Sequence, residues 1–221
     1  MILTDNEIKK YIESAVPLIE GFKEESLQSE SYDLSIGKLV SRLDPRFKIL
    51  YLDQQESVDN LYLGETLPDS GYLIGPGEYI LVAIEEKINM PVDITAHIRP
   101  RTKFTRIGLL VSNQHCNSSY SGNLTLGLYN ATAFSICIKP GMKIAQIVFE
   151  KLQSVPSIKK QYHKKAGATF QDETAIHGSD FSEEHMQTKS KENEFLNRLQ
   201  QYPEIKRAYQ ILTEEMEGRD G

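Results

Sequence analysis

Apolar positions along this 221-residue chain recur at two different periods. Near the start, Ile8, Tyr11 and Ile12 fall at i, i+3 and i+4 behind a cap at Thr4 or Asp5, which predicts a short helix within the first fifteen residues. From Ser31 the period becomes two, and the run Ser31 to Gly37 alternates before stopping at glycine, as a strand does. Gly75 to Ile84 opens with turn chemistry and continues as a β-rich run. Further strands are predicted at Ile94–Ile98, Ile107–Val111, Leu124–Tyr129, Phe134–Ile138 and Ile144–Leu152. Pro100 and the stretches Asn113–Gly122, Asn130–Ala131 and Lys139–Met142 separate them. Many short strands with hardly any helix between them predict an all-β barrel or sandwich.

After Leu152 the pattern changes. Residues 154–182 are polar, carry Gly167 and Gly178, show no sustained period, and read as a mobile arm. Residues 183–221 return to a helical period, with Phe195, Tyr202, Tyr209 and Met216 seven apart and Ile205 and Leu212 between them. Pro203 interrupts that seam, so two helices are expected, their apolar stripe covering the barrel, other copies or a protein partner. The domain division is therefore 1–153, 154–182 and 183–221.

Composition narrows the class without naming it. With 39% apolar and 25% charged residues the chain is that of an ordinary globular protein, not a collagen-like, wholly disordered or disulfide-stapled one. No apolar stretch approaches the roughly 18–20 residues of a membrane helix. The opening MILTDNEIKK lacks the basic start and apolar run of a secretory signal. Cys116 and Cys137 form no CxxC pair and read as reduced thiols. A cytoplasmic location is the expectation.

Charge adds something sharper. The net charge is −6, and residues 166–221 carry all of it, with 6 basic and 12 acidic side chains. Residues 94–149 contain no carboxylate side chain, yet hold Arg99, Arg101, Lys103, Arg106, Lys139 and Lys143. A cationic stretch of this kind attracts small anions such as nucleotide phosphates, whereas the acidic whole disfavours nucleic acid. Its densest part, Arg99-Pro-Arg-Thr-Lys-Phe-Thr-Arg-Ile-Gly108, can grip phosphate oxygens through guanidinium forks, hydroxyls and backbone amides, or can be a solvated basic loop.

Six segments resemble successive motifs of the dCTP deaminase branch of the dUTPase superfamily. They are Ile2–Ile8, Ser31–Gly37, Gly75–Tyr79, Arg101–Leu109, Tyr120–Leu126 and Lys139–Gln146, in that family's order and at compatible spacing. The resemblance implies a distorted β-barrel of dUTPase-like form and a homotrimer with sites between subunits. It also implies an arm that closes over a triphosphate. Residue by residue, it assigns phosphate contacts to Arg101, Thr102, Lys103 and Arg106, and the base and sugar side to Asn117 and Tyr120. Tyr162 and Gln171 match the arm's contacts, with the arm lysine falling at Lys164 or Lys165.

The departures from that pattern concern chemistry. Where the resemblance places a glutamate between two apolar residues, the chain reads Leu126-Gly127-Leu128, and where it places an aspartate the chain has Asn117. Deamination without a metal needs a group that takes a proton from water and returns one to the leaving amine, work worth about 10²–10⁴-fold. Glycine cannot do it. His115 lies nearby in sequence as a weak substitute, and an acid of the arm such as Asp172 or Glu173 is another source. There is no H-x-E or P-C-x-x-C zinc signature. No cofactor is expected, with Mg²⁺ entering only on a bound triphosphate. Three readings follow: a nucleotide-binding protein for sensing, sequestration or regulation whose catalysis is lost or strongly divergent; an active deaminase producing dUTP; or a trimeric scaffold for a partner-binding tail.

Overall fold

The computed structural model describes residues 1–52, 58, 60–165, 167–176, 179, 181, 195 and 202. Helix α1, Asp5–Ile12, is opened by Thr4, whose backbone N–H donates to the Glu7 side chain at 3.1 Å, and it sinks Ile8 into the core. The remaining elements are almost all strands. They are β1 Ile19–Glu20, β2 Tyr32–Leu43, β3 Tyr62–Thr66, β4 Tyr72–Ile74, β5 Tyr79–Asn89 and β6 Ile94–Pro100. After a five-residue helix α2, Thr102–Arg106, come β7 Leu109–Val111, β8 Gln114–Cys116, β9 Ser121–Asn130, β10 Ile136–Ile138 and β11 Lys143–Lys151.

Seven strands run in the order β7-β9-β5-β2-β11-β6-β8, with β1 on β5 and β3 on β2, while β10 and β4 form a separate pair. Register shifts in β2 between Ile36 and Val40, and in β5 between Ala83 and Lys87, bend this sheet into a curled half-barrel. The concave face is apolar because alternate residues point inward: Leu124, Leu126 and Leu128 on β9, Ile94, Ala96 and Ile98 on β6. Each buried aliphatic side chain contributes about 1.5–3 kcal/mol. The fold is all-β, as the pattern of short strands predicts.

Four strands escape the hydrophobic pattern. β1, β3, β4 and β8 are short, and β8 (Gln-His-Cys) sits inside a stretch whose polarity reads as a loop. The basic turn at 102–106 is helical, and β10 begins at Ile136 because Phe134 stays exposed.

The chain divides into two units. The first holds residues 1–46 and 61–178, including every strand above and the described residues of the arm up to 176. The second comprises 47–60 and 179–221; in it Val58 is buried, and Ile49, Tyr51, Leu52, Phe195 and Tyr202 are exposed. The helices predicted for 183–221 otherwise lie outside the described residues. No helix of the described residues is long and apolar enough to cross a membrane.

Candidate functional site

Strand β6 delivers the chain to α2, and Arg101 stands at that helix's entry. Its guanidinium pairs with Asp33 of β2 at 3.0 Å, and Asp33 is buried. This ion pair fixes the first turn of the cationic cluster to the sheet. Phe104 packs against the core, whereas Thr102, Lys103 and Arg106 are exposed, with Lys103 Nζ 4.9 Å from the Phe104 ring centre. Three exposed polar or cationic side chains on one short helix, with no acid in its sequence, make a surface that attracts anions.

At the opposite end of β6 lies a second cluster. A tight turn, closed by the Tyr120 N–H donating to the Asn117 carbonyl at 3.3 Å, joins β8 to β9. Ser119 holds it with φ 64°, a left-handed conformation uncommon for a residue with a Cβ. Asn117 is exposed, and Tyr120 is buried with its ring 5.9 Å from that of Tyr162. Burial pushes the Tyr120 phenol well above its ordinary pKa, with a further rise from the nearby Glu173, so it remains a hydrogen-bond donor. Its hydroxyl has no partner among the described residues. The arm reaches the same place: the Gln171 side chain accepts from the Ser121 N–H at 3.3 Å, and the Phe170 N–H donates to the Tyr162 hydroxyl at 3.4 Å.

The structure thus brings Asn117, Tyr120, Tyr162 and Gln171 together, and places Arg101, Thr102, Lys103 and Arg106 elsewhere. The seven residues of β6 separate the two groups by roughly 20 Å at about 3.3 Å per residue.

Gly127 is buried in β9, opposite Leu81, and its N–H donates to the Ser112 hydroxyl at 2.9 Å. Tyr79, diagonal to it on β5, lays its ring over the glycine: a Cβ added there would overlap the Tyr79 hydroxyl and lie 2.7 and 2.9 Å from ring carbons. An aromatic ring covering a strand glycine replaces the packing that the missing side chain cannot supply. His115 points away from this face. Its ring stands 5.0 Å from that of His97, and its Nε2 lies 3.4 Å from the Thr95 hydroxyl. Gln114, one residue earlier, faces Gly127's side instead and donates to the Thr125 carbonyl at 2.7 Å.

Two residues that the site motifs do not mark stand out. Glu173 of the arm is buried and accepts from the Thr125 hydroxyl at 3.1 Å. Thr125 and Gly127 share one face of β9, so this carboxylate enters the face that carries no acid of its own. Its only signal in sequence is membership of the arm. Glu86 is wholly buried on β5, away from this face, and accepts from the Ser35 N–H at 2.9 Å. Burial raises its carboxyl pKa. Both cysteines are free, and burial pushes the Cys116 thiol up to about 12, which keeps it protonated. Among the described residues no group of three or more His, Cys, Asp or Glu is placed to hold a metal ion.

A curled all-β sheet interrupted by a short cationic helix, with an arm returning to the hairpin, defines a dUTPase-like fold. The chain belongs to the dCTP deaminase-like family, whose model matches residues 2–152. Among its relatives, the Hydrogenobaculum sp. protein named "dCTP deaminase, dUMP-forming" is 34% identical over 71% of this chain and 86% of its own. A protein of the same name from Persephonella marina is 32% identical over 69% of this chain and 85% of its own. The crystal structure of 2'-deoxycytidine 5'-triphosphate deaminase from Agrobacterium tumefaciens is similar in fold, with TM-score 0.55 and 21% identity. The match covers 68% of this chain and spans about half, 48%, of that one.

Proposed function

We propose that this protein binds a nucleoside triphosphate at sites shared between copies of a homotrimer and does not deaminate it at an ordinary enzymatic rate. The triphosphate sits on Arg101, Thr102, Lys103 and Arg106 of one copy. The nucleoside lies against Asn117 and Tyr120 of a neighbour, under Tyr162 and Gln171. The observation that carries this reading is the separation of an exposed cationic helix from a buried, donor-bearing pocket by the length of β6. Two half-sites at that distance serve one nucleotide only if a second copy completes them. The role is then sensing, sequestering or regulating. Mg²⁺ arrives, if at all, with the triphosphate.

Loss of the standard chemistry rests on β9. Gly127 offers no proton carrier, Tyr79 occupies the space above it, and His115 faces elsewhere. A second reading, an active dCTP deaminase producing dUTP, is favoured by the Glu173 carboxylate on the same face. Incubating the protein with dCTP and dUTP, with product analysis alongside a binding titration, separates the two. Saturable binding without product supports the first reading. Turnover of dCTP within the usual range of about 1–10³ s⁻¹ supports the second.

A further inference from the structure

Strands β8 and β9 follow one another in the chain and are joined by a tight turn, yet they do not pair. β8 runs beside β6, and β9 runs between β5 and β7. A seam is left between them, and it ends at the turn that carries Asn117 and Tyr120. The β9 edge along this seam is occupied group by group. Ser121 N–H donates to the Gln171 side chain at 3.3 Å, and the Ser121 carbonyl accepts from Asp172 N–H at 2.7 Å. Asn123 N–H donates to the Glu173 carbonyl at 2.7 Å, and the Gly127 N–H and carbonyl both bond Ser112. Between these stands the Thr125 carbonyl, which accepts from the Gln114 side chain of β8 at 2.7 Å. A carbonyl only accepts, so the NH2 end of the carboxamide faces it, and the same NH2 lies 3.5 Å from the Ser112 hydroxyl. Among the described residues no other hydrogen bond joins β8 to β9.

We propose that Gln114 is a gate to the nucleoside half-site: its carboxamide closes the seam on the Thr125 carbonyl and must swing away before a nucleobase seats between β8 and β9. This deepens the nucleotide-binding reading and rests on it. A carboxamide presents an N–H beside a C=O in one plane, the same kind of edge that a nucleobase presents, so the two compete for one acceptor. The bond runs from side chain to backbone. A change of rotamer breaks it while the pairing of Gln114 with Ile98 and the burial of Cys116 keep β8 in place. Gln114 and Thr125 are both half-buried, so a ligand or water can reach them. Every common nucleobase carries an N–H on its pairing edge, and a backbone acceptor makes no choice among them. The gate therefore lowers affinity for all nucleotides alike, by the fraction of the protein in which it stands open.

The test titrates dCTP and dUTP calorimetrically into full-length wild type, Gln114→Ala and Gln114→Asn, the last keeping the carboxamide on a stem one methylene too short for Thr125. Both variants are expected to bind each nucleotide about two- to tenfold more tightly than wild type, the factor that one net hydrogen bond is worth. Gln114→Asn, conservative in size and polarity, decides the question if Gln114→Ala does not fold. Equal or weaker binding by the folded variants overturns the gate while leaving nucleotide binding intact, since Gln114 would then be a strut or a ligand contact. A gain confined to one nucleotide overturns it too, because Gln114 would then be reading the base. Binding by the variants alone supports the gate and the nucleotide-binding reading together. Binding of neither nucleotide by any of the three proteins sinks that reading and the gate with it.

Discussion

A methyl group at Gly127 would overlap the end of the Tyr79 side chain, so that the ring, 36% exposed, would have to shift off the strand. Gly127→Ala should therefore lower stability by about 1–3 kcal/mol, the usual range for overpacking a filled site. The double variant with Tyr79→Ala should lose less than the sum of the two single changes, and denaturant midpoints of the four proteins measure the difference. Additive losses would mean that the ring does not cover the glycine. Glu86 makes a separate prediction. Its folded pKa is raised by burial, so the folded state holds the proton more tightly than the unfolded chain. Its stabilising contribution is complete below the ordinary carboxyl range near 4.5 and is lost as pH rises through the raised folded value. Glu86→Gln keeps an acceptor for the Ser35 N–H and should flatten that decline, leaving the variant more stable than wild type at neutral pH. Denaturant midpoints read across pH 4 to 8 test this, and parallel curves would contradict it.

Helix α2 depends on a strand far away in sequence. Asp33 lies in β2, and its pairing with Arg101 anchors the cationic turn. Asp33→Asn removes the charge on the buried side and should cost about 1–3 kcal/mol. It should also weaken anion binding, because the turn is then held only by Phe104 and the backbone. A variant as stable as wild type would show that the ion pair does not anchor the helix. Elements differ in how much of them the sequence announces. β2, β5, β6, β9 and β11 are readable because one face of each meets the core and forces alternation, as in Leu124, Leu126 and Leu128. β8 is not, since its only buried side chain is Cys116 and its length allows no period. The cationic residues of α2 are visible as composition, yet their pairing with Asp33 is a tertiary fact that no local pattern carries. Glu173 is the same case in stronger form. Nothing near it in sequence distinguishes it from Asp172, and only the turn at Asp172, with φ 58°, and the bridge between Gly122 and Glu173 decide which acid reaches Thr125.

For the whole molecule, shared sites imply complementation. A protein with Arg106→Glu and another with Gln171→Ala each damage a different half-site. Refolded together, mixed trimers should contain some sites with both halves intact and recover part of the dCTP affinity that the Arg106→Glu protein lacks. Recovery no greater than the sum of the separate proteins would mean that each copy carries its own complete site. The C-terminal segment is expected to stand apart from this. Deleting residues 183–221 should leave the trimer folded and ligand affinity within a few-fold, as read by light scattering and titration. Dissociation of the truncated protein would make the tail part of the assembly itself.

The central claim is that α2 holds the phosphates of a nucleoside triphosphate, and it is tested most directly by calorimetric titration of dCTP into wild type and into the Lys103→Glu/Arg106→Glu double variant. The account predicts saturable binding by wild type that weakens as salt rises, because the attraction is between exposed charges. In the double variant affinity should fall at least tenfold, with the melting temperature unchanged, since both side chains are exposed and off the core. Equal affinity in the two proteins, or no binding by wild type at low salt, would contradict it.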